Sequence, residues 1–277
     1  MPVTAKFCFE CGKDLRILEP ITSRFSSPES YTPTHLAEKI LQSRNSLVGE
    51  RKNVTVLFCD LVKSSVLARE LGHEAMHVLL NKFFELALSE IHRYEGTLNQ
   101  FLGDGFMALF GAPLACEDHS HRAARAALGI QRAIIEHGIC NEYANGKQVL
   151  MRIGLNTGPV VVGRIGNDLR MDYTAIGDTT NLAARLESLA LPGKIYVSEQ
   201  IHQRLEIQFV CIPIKARLPK GDARYVTVYQ LQRERSVEES KKQRERGGIS
   251  SPLIGRDSEL EVLTNRLEQG SHKSGGV

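Results

Sequence analysis

No apolar run in this chain exceeds about half a dozen residues, far below the ~20 that a membrane helix needs, and no signal-peptide core follows Met1. A membrane partner is therefore not expected, and a cytoplasmic location is. Nor is there an excess of charge of one sign. The 35 Lys and Arg face 32 Asp and Glu, so electrostatics give no reason to expect a nucleic-acid partner. Cysteine is scarce as well: Cys59, Cys116, Cys140 and Cys211 lack the spacing of a disulfide framework and read as free thiols. Cys8 and Cys11 differ, because their C-x-x-C-G setting supplies two thiolates of a tetrahedral Zn²⁺ site. No second C-x-x-C follows, so zinc there would need ligands from elsewhere. The phosphate-cradling G-x-x-x-x-G-K-[ST] loop is also missing, and no ATPase activity is assigned.

What is present is enough apolar sequence, 42% of 277 residues, for one full core with appendages. Residues 1–20 hold the half zinc knuckle, and 21–50 form a Ser/Pro/Thr-rich linker with a short amphipathic helix from His35 to Leu47. That helix could pack on the main domain or on a second copy of it. The main domain spans 51–231, followed by a charged linker or helix at 232–251 and the start of a new module at 252–277. Within the domain the pattern predicts a strand at 53–60, one long helix at 66–94, a hairpin at 97–110 and a helix at 117–137. Strands at 149–155 and 160–162, turning at Thr157-Gly158-Pro159, come next. A helix from Asp178 or Thr179 to Leu189 and strands near 195–197, 207–214 and 225–231 complete an α+β order. His119 and His121, beside Asp118, read as solvated residues at a helix start.

Two aspartates carry the chemistry. Asp60 ends the apolar run Val54–Cys59, and Asp104 sits in Gly103-Asp104-Gly105 between two apolar runs. Alone, Asp104-Gly105 is also a hairpin turn signal. If two strand ends brought the carboxylates to ~5 Å, they would repel by about 3 kcal/mol at an effective dielectric of ~20, so a cation between them is expected. Hard oxygen ligands favour Mg²⁺ or Mn²⁺. Downstream, Asn181 and Arg185 lie four apart, on one helical face, within Tyr173-Thr174-Ala175-Ile176-Gly177-Asp178-Thr179-Thr180-Asn181-Leu182-Ala183-Ala184-Arg185.

With that segment, Phe58-Cys59-Asp60-Leu61-Val62-Lys63-Ser64-Ser65, Leu102-Gly103-Asp104-Gly105 and Met151-Arg152-Ile153-Gly154-Leu155-Asn156-Thr157-Gly158, in this order, the chain resembles the catalytic domain of class III adenylate and guanylate cyclases, from about Lys52 to Leu231. The resemblance implies a ferredoxin-like α+β domain, its mixed sheet mainly antiparallel, acting as a head-to-tail homodimer. It further implies that Asp60 and Asp104, with the Leu61 carbonyl, hold two Mg²⁺ or Mn²⁺ per site. Asn181 would orient the ribose and Arg185 would stabilise the transition state, both from the second subunit. Arg152 and Lys220 would meet the polyphosphate.

The purine-reading pair falls, by the same resemblance, at Gln100 and Thr174. Thr174 fits a subclass of the family, whereas Gln100 stands where a lysine is expected. A glutamine amide both donates and accepts, so ATP is favoured with GTP open as an alternative. The segment from Pro252 to Leu260 resembles the opening of an AAA-like ATPase module. Other expectations are a cyclase homology domain that binds nucleotide without turnover and regulates an attached ATPase module, and an interaction module controlled by dimerisation.

Overall fold

The computed structural model describes residues 31–42, 51–161, 178–217, 225–246 and 255–271. Seven strands, β1 (Arg51–Leu61), β2 (Thr97–Leu102), β3 (Gly105–Phe110), β4 (Met151–Val161), β5 (Ile195–Val197), β6 (Phe209–Arg217) and β7 (Tyr225–Glu234), form one sheet. Their order is β2-β3-β1-β4-β5-β7-β6, and only the β4–β5 pair is parallel. This is the mixed, mainly antiparallel α+β sheet that the sequence implies.

From Val54 to Cys59, β1 is apolar at every position but Thr55 because both faces of the sheet are covered around it. One row, including Leu57, Cys59, Phe106, Phe110, Ile153 and Leu155, packs under α3 (His73–Arg93) and α4 (His119–Glu136), which contribute Phe83, Ile91, Ala127 and Ile130. The alternate row, Val54, Val56, Met107, Leu109 and Val160, packs with Ala183 of α6 (Asp178–Leu189). Four alanines on α4 are fully buried, leaving that helix no bulky side chain at those positions to hold it off its neighbours. The short helix α5 (Ile139–Glu142) follows α4.

Three expectations need correction. The helix foreseen at 66–94 is two helices, α2 (Ser64–Leu71) and α3, divided at Gly72. Gly72 has φ 83°, its N–H donates to Ala68 O at 3.0 Å and its carbonyl accepts from Met76 N at 3.0 Å, so one glycine closes the first helix and opens the second. The two strands foreseen at 149–155 and 160–162 are one continuous β4, paired with β1 from Met151 to Val161. Pro159 is tolerated because β5 pairs only with Ile153–Leu155, so the ladder on that side needs no N–H from it. His119 is not solvated but buried, with Nδ1 2.7 Å from Thr55 Oγ1, whereas His121 is half-buried and lies against the Phe209 ring. A helix absent from the sequence reading, α7 (Glu199–Leu205), is capped by Ser198, whose Oγ accepts from Ile201 N.

The preceding helix α1 (Thr34–Gln42) docks on the main domain through Leu36 and Ile40, which pack near Leu114. Lys39 Nζ lies 2.6 Å from Glu95, which also pairs with Arg122 of α4. Three residues on, Arg125 donates from Nε and Nη2 to Glu234 at the end of β7. The foreseen Leu47 and Cys8/Cys11 lie outside the described residues. Chain contacts separate Met1–Glu234 from Arg235–Val277, and the second unit contains α8 (Val237–Arg246) and α9 (Asp257–Ser271). Among the described residues no helix is long and apolar enough to cross a membrane.

His92, on α3, is buried, and its burial, with His35 nearby, lowers its pKa to about 4. The folded protein therefore holds it neutral while the unfolded chain protonates near 6.5. Its contribution to stability is complete above pH 6.5 and is lost as pH falls towards about 4, on the order of 3 kcal/mol in all. Urea midpoints measured between pH 7 and 4 should fall with pH, and His92→Gln should flatten that fall.

Candidate functional site

The register of three antiparallel strands builds the site. Asp60, next to last on β1, stands opposite Gly105 on β3 and opposite Arg152 on β4. The β2–β3 turn therefore brings Asp104 to the same end of the sheet, where its charge pushes the Asp60 carboxyl up. Gly105 is required here: a Cβ at that position would lie 2.5 Å from Cys59 O and 3.0 Å from Asp60 Oδ1. Leu61, the last residue of β1, has its side chain buried, and the following Val62 N–H donates to Leu150 O at 2.8 Å.

Arg152 is the cation of the cluster. Its Nη2 donates to Asp60 Oδ2 at 2.9 Å, and its Nε faces Glu187 Oε1 at 3.1 Å. The second approach is an ion pair by distance but not an aligned hydrogen bond, since both atoms are buried without a hydrogen-bond partner. Burial raises the Asp60 pKa, Arg152 opposes that rise and Asp104 adds to it. The Glu187 carboxyl is likewise pushed up by burial, against the pull of Arg152 and with Asp60 reinforcing it. Two carboxyls, Asp60 and Glu187, share one guanidinium and Asp104 adds its charge to Asp60, which makes a place that accepts further positive charge.

Gln100 lies on β2 opposite Met107, and Met107 lies opposite Phe58, which pairs with Gly154. That row is two residues along from the Gly105–Asp60–Arg152 row, so Gln100, Asp60 and Arg152 share one face of the sheet. Gln100 is exposed there, just past a register irregularity after Leu98. Asn181 and Arg185 are exposed on α6, while Ala183 and Leu186 turn inward. Glu187, which touches Arg152, is roughly 200° and 240° around the helix from Arg185 and Asn181. Within one chain, then, these two side chains face away from the Asp60 cluster. Thr174 and Lys220 lie outside the described residues.

Glu187 was not among the sequence candidates. Its signal was the glycine at 154: a Cβ there would sit 2.2 Å from Glu187 N and 2.3 Å from Ala183 O, so α6 rests directly on the β4 backbone. The start of α6 is pinned by Asn156 Nδ2 donating to Thr179 O at 2.9 Å and by Thr179 Oγ1 donating to Pro159 O at 3.0 Å.

The site's donor set suits a divalent cation. The oxygens of Asp60 and Asp104 are hard ligands, and among the described residues no group of three or more His, Cys, Asp or Glu closes an all-protein cage. An open two-carboxylate set whose remaining positions are left to a substrate or water is the usual way of holding Mg²⁺.

Paired acidic residues at adjacent strand ends, an arginine laid across one of them and an Asn/Arg pair displayed outward on a separate helix define an α+β domain with an open, acidic sheet-end site. The comparisons identify the type. The chain belongs to the adenylate and guanylate cyclase catalytic domain family, whose model matches residues 48–233. It is 30% identical over 161 residues to adenylate cyclase 1 of Rhizobium meliloti, covering 57% of this chain and 24% of that protein. It is 28% identical over 210 residues to the rat guanylate cyclase soluble subunit beta-2, covering 75% and 30%. Among solved structures, the adenylyl cyclase CyaB from P. aeruginosa superposes with a TM-score of 0.60 at 32% identity, covering 68% of this chain and 98% of that one. The guanylate cyclase domain of RhGC from Catenaria anguillulae, in complex with GTP, gives 0.59 at 29% identity, covering 67% and 100%. The chain spans less than a third of the length of these two curated relatives.

Because the Gly154 contact is to backbone, Gly154→Ala must displace α6. It should destabilise the domain by ~1–3 kcal/mol in urea unfolding.

Proposed function

We propose that this domain is a homodimeric purine nucleotide cyclase that converts ATP to 3′,5′-cyclic AMP and pyrophosphate, in intracellular signalling. The observation that carries the reading is the division of the site residues: Asp60, Asp104 and Arg152 converge on one sheet end, while Asn181 and Arg185 are exposed and face away from it. A second copy could complete the site by presenting its own Asn181 and Arg185. Symmetry would then give two equivalent sites per dimer.

Asp60, Asp104 and the Leu61 carbonyl would hold two Mg²⁺ or Mn²⁺. When bound, such ions lower the pKa of the ribose 3′-hydroxyl and offset the charge of the departing pyrophosphate. Arg152 binds the polyphosphate, and Lys220 assists it. Asn181 orients the ribose so that its 3′-oxygen lies in line with the α-phosphorus, and Arg185 stabilises the charge that develops there. The 3′-oxygen bonds to the α-phosphorus as the bond to the bridging oxygen breaks, pyrophosphate leaves and the hydroxyl proton passes to solvent. Gln100 lies on the same face as Asp60, two strands and two residues away, roughly 12 Å by sheet spacing, which suits a base contact at one end of a nucleotide and phosphate contacts at the other. With Thr174 it holds the purine. Adenine is favoured.

Incubating the full chain with ATP or GTP and Mn²⁺ should yield a cyclic nucleotide, ATP being the better substrate; no product at high protein concentration would refute the proposal. Asp104→Ala should cut the rate on the order of a hundredfold or more while leaving the dimer intact. Mixing inactive Asp104→Ala with inactive Arg185→Ala should restore activity towards roughly one quarter of wild type, because half the dimers are mixed and each of those has one whole site. No recovery in rapidly exchanging mixtures would rule out a shared site.

A further inference from the structure

We infer that Glu187 is a positioning residue for Arg152: it draws the guanidinium off Asp60, so that a divalent cation can reach that carboxylate while Arg152 remains over the site to meet phosphate. The inference rests on the cyclase reading above. Arg152 Nη2 donates to Asp60 Oδ2 at 2.9 Å, and a cation seated on that carboxylate would both compete for the oxygen and repel the guanidinium. Arg152 must then have another acceptor, because a partly buried guanidinium stripped of its partner is costly.

Glu187 supplies it. Its Oε1 lies 3.1 Å from Arg152 Nε, yet both atoms are buried without a hydrogen-bond partner, so the two face each other unaligned. A small rotation of the guanidinium aligns them. The other carboxyl oxygen is already steadied, accepting from Ser188 Oγ at 3.3 Å. The side chain of Glu187 is only 12% exposed, against 29% for Arg152 and 27% for Asp60, so the second acceptor sits deeper than the first. Contact of α6 with the Gly154 backbone, at Glu187 N itself, fixes where that carboxyl can be.

The test is Mn²⁺ binding to the full chain, without nucleotide, by titration calorimetry. Glu187→Gln keeps the shape and loses the charge, and should weaken Mn²⁺ binding tenfold or more. The same substitution in an Arg152→Ala background should change binding by less than about twofold, since no guanidinium is left to be held. Equal weakening in both backgrounds would mean that Glu187 acts by its charge alone and would overturn the inference. So would unchanged binding in Glu187→Gln. Should Glu187→Gln fail to show wild-type cooperative unfolding, Glu187→Asp, which keeps the charge on a shorter arm, takes its place: weaker binding that depends on Arg152 supports the inference, and unchanged binding overturns it. A wild-type chain that binds no Mn²⁺ would overturn the reading of the two aspartates, and this inference with it, whereas a binding wild type with an indifferent Glu187 overturns the inference alone.

Discussion

The antiparallel register of β1 against β3 and β4 is the constraint on which the rest depends. It sets Asp60 between Gly105 and Arg152, and a one-residue slip would turn the carboxyl into the face that α3 and α4 fill with Phe83 and Ile91. Apolar burial on both faces of β1 makes that slip costly. The core thus fixes where the polar groups stand, and the cost of crowding carboxyls at a sheet end is borne by the hydrophobic packing behind it.

Much of this was legible in the sequence because the signals are local. The apolar run ending in Asp60 and the Gly-Asp-Gly turn mark strand ends, and the four-residue spacing of Asn181 and Arg185 marks one helical face. The failures also have physical causes. Gly72 looks like one weak position in a long amphipathic pattern, and only its positive φ reveals a break. Thr157-Gly158-Pro159 has turn composition, but cross-strand pairing to β1 overrides it, and the glycine is there because a Cβ would strike Thr179 Oγ1 at 2.6 Å. His119 sits in a polar stretch, and its burial depends on Thr55, far away in sequence. Glu187 escaped because its role depends on α6 lying across β4, a non-local contact.

The geometry of α6 explains why a single chain holds parts that do not meet. Its inner side is committed to the sheet through Ala183 and Leu186, and its outer side carries Asn181 and Arg185. Turning the outer side inward would remove the apolar anchor, so the helix cannot serve both purposes within one copy. The family to which the chain belongs contains both adenylate and guanylate cyclases. On the reading proposed above Gln100 meets the purine, and its amide, which both donates and accepts, leaves that choice to its surroundings.

The helix α4 holds both ends of the domain. Arg122 grips Glu95, which also holds Lys39 of the incoming helix, and one turn later Arg125 grips Glu234 where the last strand departs. Both contacts fall on neighbouring turns of one helix that lies against the sheet's core. The incoming helix and the departing strand thus share one attachment, and the distance between the two ends of the domain is set by neighbouring turns of a single helix.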